Sequence, residues 1–77
     1  MKTIDTRIFK KFLKSIRLEY KRSKGSHEIW DYENEPYLER PVIFRGSEKQ
    51  IPSMHIHTNL LTLGISHKEF EEAIKKL

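Results

Sequence analysis

The run Leu18-Glu19-Tyr20-Lys21-Arg22-Ser23-Lys24-Gly25-Ser26-His27-Glu28-Ile29-Trp30-Asp31-Tyr32 sets the architecture of this chain. Its first six residues place Leu18, Tyr20 and Arg22 against Glu19, Lys21 and Ser23, the alternation of a β-strand. Lys24-Gly25 supplies a tight turn and residues 26–32 continue as a second strand, so the segment reads as an antiparallel hairpin. The facing of the second strand governs what His27 can do. With Trp30 and Tyr32 packed under helices, His27, Ile29 and Asp31 occupy the opposite, open face; with Ile29 in the core, His27 turns inward. Trp30 contributes most when its large apolar area is buried, so the first arrangement is expected and His27 is accessible.

On the N-terminal side, Ile8, Phe9, Phe12, Leu13 and Ile16 recur at spacings of three and four, predicting an amphipathic helix over about residues 5–17. Asp5 or Thr6 can cap its start. Arg7, Lys10, Lys14 and Arg17 fall on its polar side, either as a solvated face or as a ridge that contacts phosphates. On the C-terminal side, residues 33–40 form a polar loop with Pro36, and residues 41–45 form a third short strand that Gly46 ends. Residues 47–53 read as a loop, with Pro52 near the start of a helix over 54–63 whose apolar face is Ile56, Leu60 and Leu63. Gly64 suits the left-handed position after that helix. Ser66 and Glu69 then have the spacing of a capping box for a last helix with Phe70, Ala73, Ile74 and Leu77 as its stripe. The fold class is therefore α+β: a helix, a three-stranded antiparallel sheet, then one or two C-terminal helices.

Seventy-seven residues make one domain. A chain this short buries only about 60% of its unfolded surface, so its stability margin is thin and a partner would help it. The absence of cysteine excludes disulfide staples, thiolate nucleophiles and thiolate metal sites, and fits a reducing cytoplasm. Neither a signal peptide nor a membrane span is expected. The net charge of +4 hides a strong polarity: residues 1–27 hold nine Lys and Arg against Asp5 and Glu19, whereas residues 28–39 hold five acids and no Lys or Arg. A basic first third can track a polyanion, most plausibly nucleic acid. The acidic stretch would turn RNA toward the opposite side.

The chemistry-bearing cluster is Lys21, Arg22, Lys24, Gly25, Ser26 and His27. An imidazole titrates near neutral pH and can take and return a proton during phosphodiester cleavage. The three cations supply positive charge where a phosphate would sit. A bland reading makes His27 an ordinary hairpin residue. His55-x-His57, with His67 nearby, suggests a metal, but alternate residues of a helix point about 200° apart and no carboxylate or cysteine completes a set. No metal and no cofactor are expected; His55 and His57 are possible RNA contacts or plain surface positions. Among the aromatic residues, Tyr37 in the polar loop is the expected exposed one, and Trp30, Tyr20 and Tyr32 either pack in the core or stack on bases.

The order of parts resembles the HicA family of toxin mRNA interferases. The resemblance rests on a basic helix, a strand ending in Arg22-Ser23-Lys24-Gly25-Ser26-His27, an aromatic strand, a third strand, a Pro/His loop and a Leu-rich helix closing in Leu63-Gly64-Ile65-Ser66. It covers most of the chain, to about Phe70, and casts residues 1–77 as a single HicA-like domain. Pro52-Ser53-Met54-His55 departs from the family in spacing, with the loop running almost directly into Ile56. The resemblance implies a fold like the double-stranded-RNA-binding domain and metal-independent cleavage of mRNA. It also implies a catalytic His27, neutralisation by a HicB-like antitoxin, and a bacterial or archaeal cytoplasm. Lys10, Lys14, Lys21, Arg22, Lys24, Gly25 and Ser26 are then the residues expected to bind RNA. The alternatives are a non-catalytic RNA-binding module of the same fold and a DNA-binding accessory protein, for which residues 60–70 carry little base-reading chemistry.

Overall fold

Local signals and long-range pairing together produce the architecture seen in a computed structural model, which describes residues 3–32 and 41–77. Along the chain these residues form β1 (Ile4–Asp5), α1 (Thr6–Ser15), β2 (Leu18–Lys24), β3 (His27–Tyr32), β4 (Val42–Arg45), β5 (Gln50–Ile51), α2 (Ser53–Leu63) and α3 (His67–Ile74). The result is a small α+β domain with an N-terminal helix, a three-stranded antiparallel sheet in the order β2-β3-β4, and two C-terminal helices. None of the described helices is long and apolar enough to cross a membrane.

The hairpin turn lies one residue further along the chain than its sequence suggests. Lys24 pairs with His27, so the turn is Gly25-Ser26, with Gly25 at φ +60. A positive φ confined to the first turn residue is the requirement of a type II′ hairpin, which glycine meets without strain. The strand alternation also breaks once. Tyr20 lies opposite Trp30 but Arg22 lies opposite Ile29, so Lys21 is the extra residue of a bulge. Leu18 and Tyr20 therefore lean toward the helices, whereas Arg22 and Lys24 turn to the other side. This corrects the regular alternation in which Arg22 shares a face with Leu18 and Tyr20. A bulge re-aims the side chains that follow it.

Helix α1 is shorter than residues 5–17. Asp5 belongs to β1 and caps the helix, its Oδ1 accepting the Arg7 N–H at 2.8 Å. Arg17, at φ 71, turns the chain into β2. Phe9, Phe12 and Leu13 are buried and Ile16 packs against them, but Ile8 at the edge of the stripe is 40% exposed. The segment 47–53, expected as loop, contains β5, which pairs with β1 as Ile4 opposite Ile51 and Asp5 opposite Gln50. Helix α2 ends at Gly64 with φ 72, and Ser66 and Glu69 form both bonds of the capping box ahead of α3. Leu77, beyond the end of α3, is half exposed rather than part of its stripe.

The core lies between one face of the sheet and the helices. Trp30, Val42 and Phe44 from the sheet meet Phe9, Phe12 and Leu13 from α1, Ile56 and Leu60 from α2, and Phe70 from α3. Trp30 is inside, as its area argues. The outer edge of β4 is closed by α2: the Asn59 Nδ2 donates to the Ile43 carbonyl at 3.0 Å and its Oδ1 accepts the Ile43 N–H at 3.2 Å. A side-chain amide here takes the place of another strand and covers what would otherwise invite edge pairing.

Glu28 ties the sheet to α1. Its carboxylate accepts the Trp30 Nε1–H at 3.1 Å and the Lys10 ammonium at 3.1 Å, and Lys10 also donates to the Gly46 carbonyl at 3.2 Å. A methyl group at Gly46 would overlap the Glu28 carboxylate. Gly46→Ala therefore displaces a half-buried acceptor from two donors, a loss of about 1–3 kcal/mol. The expected result is a lower denaturation midpoint together with a changed emission from Trp30, the single tryptophan. An unchanged midpoint and spectrum would show that Glu28 can move at no cost.

Candidate nucleic-acid interface

The antiparallel register builds a site on the face of the sheet turned away from the core. Residues directly opposite on neighbouring strands share a face and lie about 5 Å apart. His27 opens β3 and lies between Lys24 of β2 and Arg45 of β4. One step along the same face, Ile29 lies between Arg22 and Ile43, and a further step brings Asp31 opposite Glu19. This face is thus cationic at the hairpin end, apolar in the middle and acidic at the far end.

His27 is half-buried, while Arg22, Lys24 and Arg45 are exposed. Among the described residues, none of these three cations has a carboxylate within salt-bridge distance. Among the described residues, then, no carboxylate neutralises their positive charge. Gly25 and Ser26, in the turn, lie beside them. The Gly25-Ser26 turn sets Lys24 opposite His27 and so puts Arg22 on the same face, while the bulge at Lys21 lets Leu18 and Tyr20 lie on the core face.

Other expected contacts are not brought to this place. Lys10 and Lys14 belong to α1 and line a shallow groove with Tyr20, Ser23, Glu28 and Trp30, on the helix side of the sheet. Lys10 is engaged there by Glu28 and the Gly46 carbonyl. The Lys21 ammonium donates to Glu19 Oε1 at 2.7 Å, which offsets the like charges of Glu19 and Asp31 across the strands. The acidic stretch does not act as one surface: Glu28 faces α1, whereas Asp31 is buried on the other side and accepts the Tyr32 N–H at 2.7 Å. The remaining acids of that stretch, the loop over 33–40 and Tyr37 lie outside the described residues. Tyr20 is 49% exposed, and its ring meets Trp30 edge to face at 6.4 Å.

The histidines of α2 separate as helical geometry requires. The His57 Nδ1 is 2.8 Å from the His67 Nε2, an exposed hydrogen-bonded pair that links α2 to α3. His55 faces elsewhere and lines a cleft of about 160 Å³ with Arg45, Glu48, Gln50, Ile51 and Pro52. No group of three His, Cys, Asp or Glu side chains among the described residues is placed to hold a metal ion.

Arg45 is the site residue that the sequence did not announce. It lies opposite His27 in the sheet and also lines the cleft with His55, so it joins the two. Its only sequence signal is its place at the end of the third strand, before Gly46. Between β3 and β4 the sequence offers no short turn motif that would announce their register. An imidazole flanked by two cations that no described carboxylate pairs can hold a phosphodiester and move a proton beside it. No family model, curated protein or solved structure matches the chain, so the functional reading rests on this geometry and on the sequence.

Proposed function

We propose that the chain is a small endoribonuclease that cleaves mRNA without a metal ion, like the HicA toxins that its sequence resembles. One observation carries the reading: His27 lies between Lys24 and Arg45 on the sheet face turned from the core. RNA brings its own nucleophile. The 2′-oxygen attacks the neighbouring phosphorus, the bond from phosphorus to the 5′-oxygen breaks, and the products end in a 2′,3′-cyclic phosphate and a 5′-hydroxyl. The His27 imidazole takes the proton of the 2′-hydroxyl and returns it to the departing 5′-oxygen, so no water is consumed. Lys24, Arg22 and Arg45 offset the charge that builds on the phosphoryl oxygens, aided by the Gly25 and Ser26 N–H groups.

One proton-transfer group supplies about 10²–10⁴-fold acceleration, which makes this a slow nuclease. A slow nuclease still arrests a cell when its substrate is mRNA. The reading extends to a fold of the double-stranded-RNA-binding type, a cytoplasmic setting and a HicB-like antitoxin that holds the chain inactive.

The test is incubation of the purified chain with an end-labelled RNA in excess EDTA. Discrete fragments bearing cyclic phosphate are expected, and a single 2′-deoxy substitution at a cut position should abolish that cut alone. Binding without cleavage would replace the nuclease with a non-catalytic RNA-binding module. Loss of cleavage in EDTA would overturn the metal-independent mechanism.

A further inference from the structure

Beyond the phosphate at His27, a substrate strand needs somewhere to put the adjoining base. The cleft between Arg45 and His55 lies next to the proposed phosphate position, because Arg45 belongs to both. Its volume of about 160 Å³ leaves room for a flat heterocycle. Its shape follows from local structure: the Glu48 N–H donates to the Arg45 carbonyl at 3.3 Å, closing a turn that returns Glu48 to the mouth beside Arg45. Pro52 caps α2 and ends the extended β5, so His55 stands in the first turn of the helix, above the cleft.

The chemistry of the lining selects what can enter. Glu48 and His55 are exposed, and among the described residues the Glu48 carboxylate pairs with no cation. A second phosphate beside that carboxylate would be repelled. A base is not, and a carboxylate accepts readily from an exocyclic amino group. Adenine, cytosine and guanine carry one; uracil does not. Gln50 is less free, since its Oε1 accepts the Thr3 hydroxyl at 2.7 Å. The flat ring of His55 offers a stacking surface that does not depend on which base is present.

We infer that the cleft between Arg45 and His55 is a nucleobase subsite that receives the base adjoining the phosphate at His27. It prefers a base with an exocyclic amino group because Glu48 accepts from it. The inference rests on the nuclease reading for the identity of the strand as RNA, but it is tested by binding rather than by cleavage. The probes are short 2′-O-methyl oligonucleotides of cytosine, adenine or uracil, which lack the attacking hydroxyl.

The wild-type chain should bind the cytosine and adenine oligomers about 5–10-fold more tightly than the uracil oligomer, the net worth of roughly one hydrogen bond at an exposed site. Glu48→Gln should bring that ratio close to one. His55→Ala should weaken all three about fivefold or more, as losing a stacking surface does, with an unchanged salt dependence. Arg45→Gln should instead lower the slope of log affinity against log salt by about 0.7, the signature of one lost phosphate contact on a single strand. All three positions are exposed, so thermal melts should be unchanged.

A ratio that survives Glu48→Gln, or His55→Ala binding as the wild type does, would overturn the subsite. Cleavage of RNA together with either result removes the subsite and leaves the nuclease. The expected binding pattern without cleavage removes the nuclease and leaves the subsite. A chain that neither binds the oligomers nor cleaves RNA removes both.

Discussion

If the chain is the nuclease proposed above, His27→Ala should lower RNA cleavage by about 10²-fold or more and leave the fold as it was. The expectation of a large kinetic effect with a small structural one comes from where the ring sits. His27 is the first residue of β3, half-buried at the hairpin end and on the face away from the core. Truncating it opens no cavity among Phe9, Trp30 and Phe44, so melting temperature and circular dichroism should match the wild type. Binding of the 2′-O-methyl oligonucleotides should also persist, since Lys24, Arg22 and Arg45, the proposed phosphate contacts, are unchanged. Cleavage is what disappears, because no other described imidazole shares the sheet face with those three cations. Expression of the wild type should arrest growth and the variant should not. Cleavage within twofold of wild type would show that the proton is moved elsewhere, with His55 across Arg45 the next residue to replace.

How much of this site could be read from sequence depends on how local each feature is. The hairpin, the left-handed Gly64 and the Ser66–Glu69 box are each specified within a few residues, and each is found where the sequence places it, with the turn displaced by one residue. The facing of Trp30 followed from one large apolar area and put His27 on the opposite face. That face is less open than expected: His27 is half-buried, and Ile29 and Asp31 beside it are buried. The bulge at Lys21 has no sequence mark of its own, since the run 18–23 alternates without a break. Yet that bulge is what lets one strand send Leu18 and Tyr20 to the core while Arg22 and Lys24 share the face of His27. The pairing of Ile4 with Ile51 joins residues 47 positions apart through two strands of two residues each, too short for alternation to register. Arg45 was hidden for a similar reason, because its alignment with His27 depends on tertiary packing of β4 by Asn59 and the core. Lys10 shows the converse. Its position on the polar side of α1 is legible, but its engagement by Glu28 and the Gly46 carbonyl depends on where the sheet lies.

Phe9→Ala should leave the domain largely unfolded at room temperature. Phe9 is fully buried, and its ring meets Phe44 edge-on at 5.2 Å, Phe70 at 6.0 Å and Phe12 at 6.2 Å. It therefore joins α1, β4 and α3 at one point. Truncating a buried phenylalanine costs about 3–5 kcal/mol, and aromatic pairing of this kind places the cost toward the upper end. A domain of this length has about 4–12 kcal/mol to lose, and with no disulfide its margin lies toward the lower end. The control is Ile8→Ala, one residue away on the same helix but 40% exposed, which should cost about 0.5 kcal/mol. Denaturant titration followed by Trp30 fluorescence reads both. The comparison also bears on the site, since Phe9 holds Phe44 and the residue after Phe44 is Arg45. A loss below about 1 kcal/mol for Phe9, or equal losses at the two positions, would mean that α1 does not pack on the sheet through this face, and the alignment of Arg45 with His27 would lose its support.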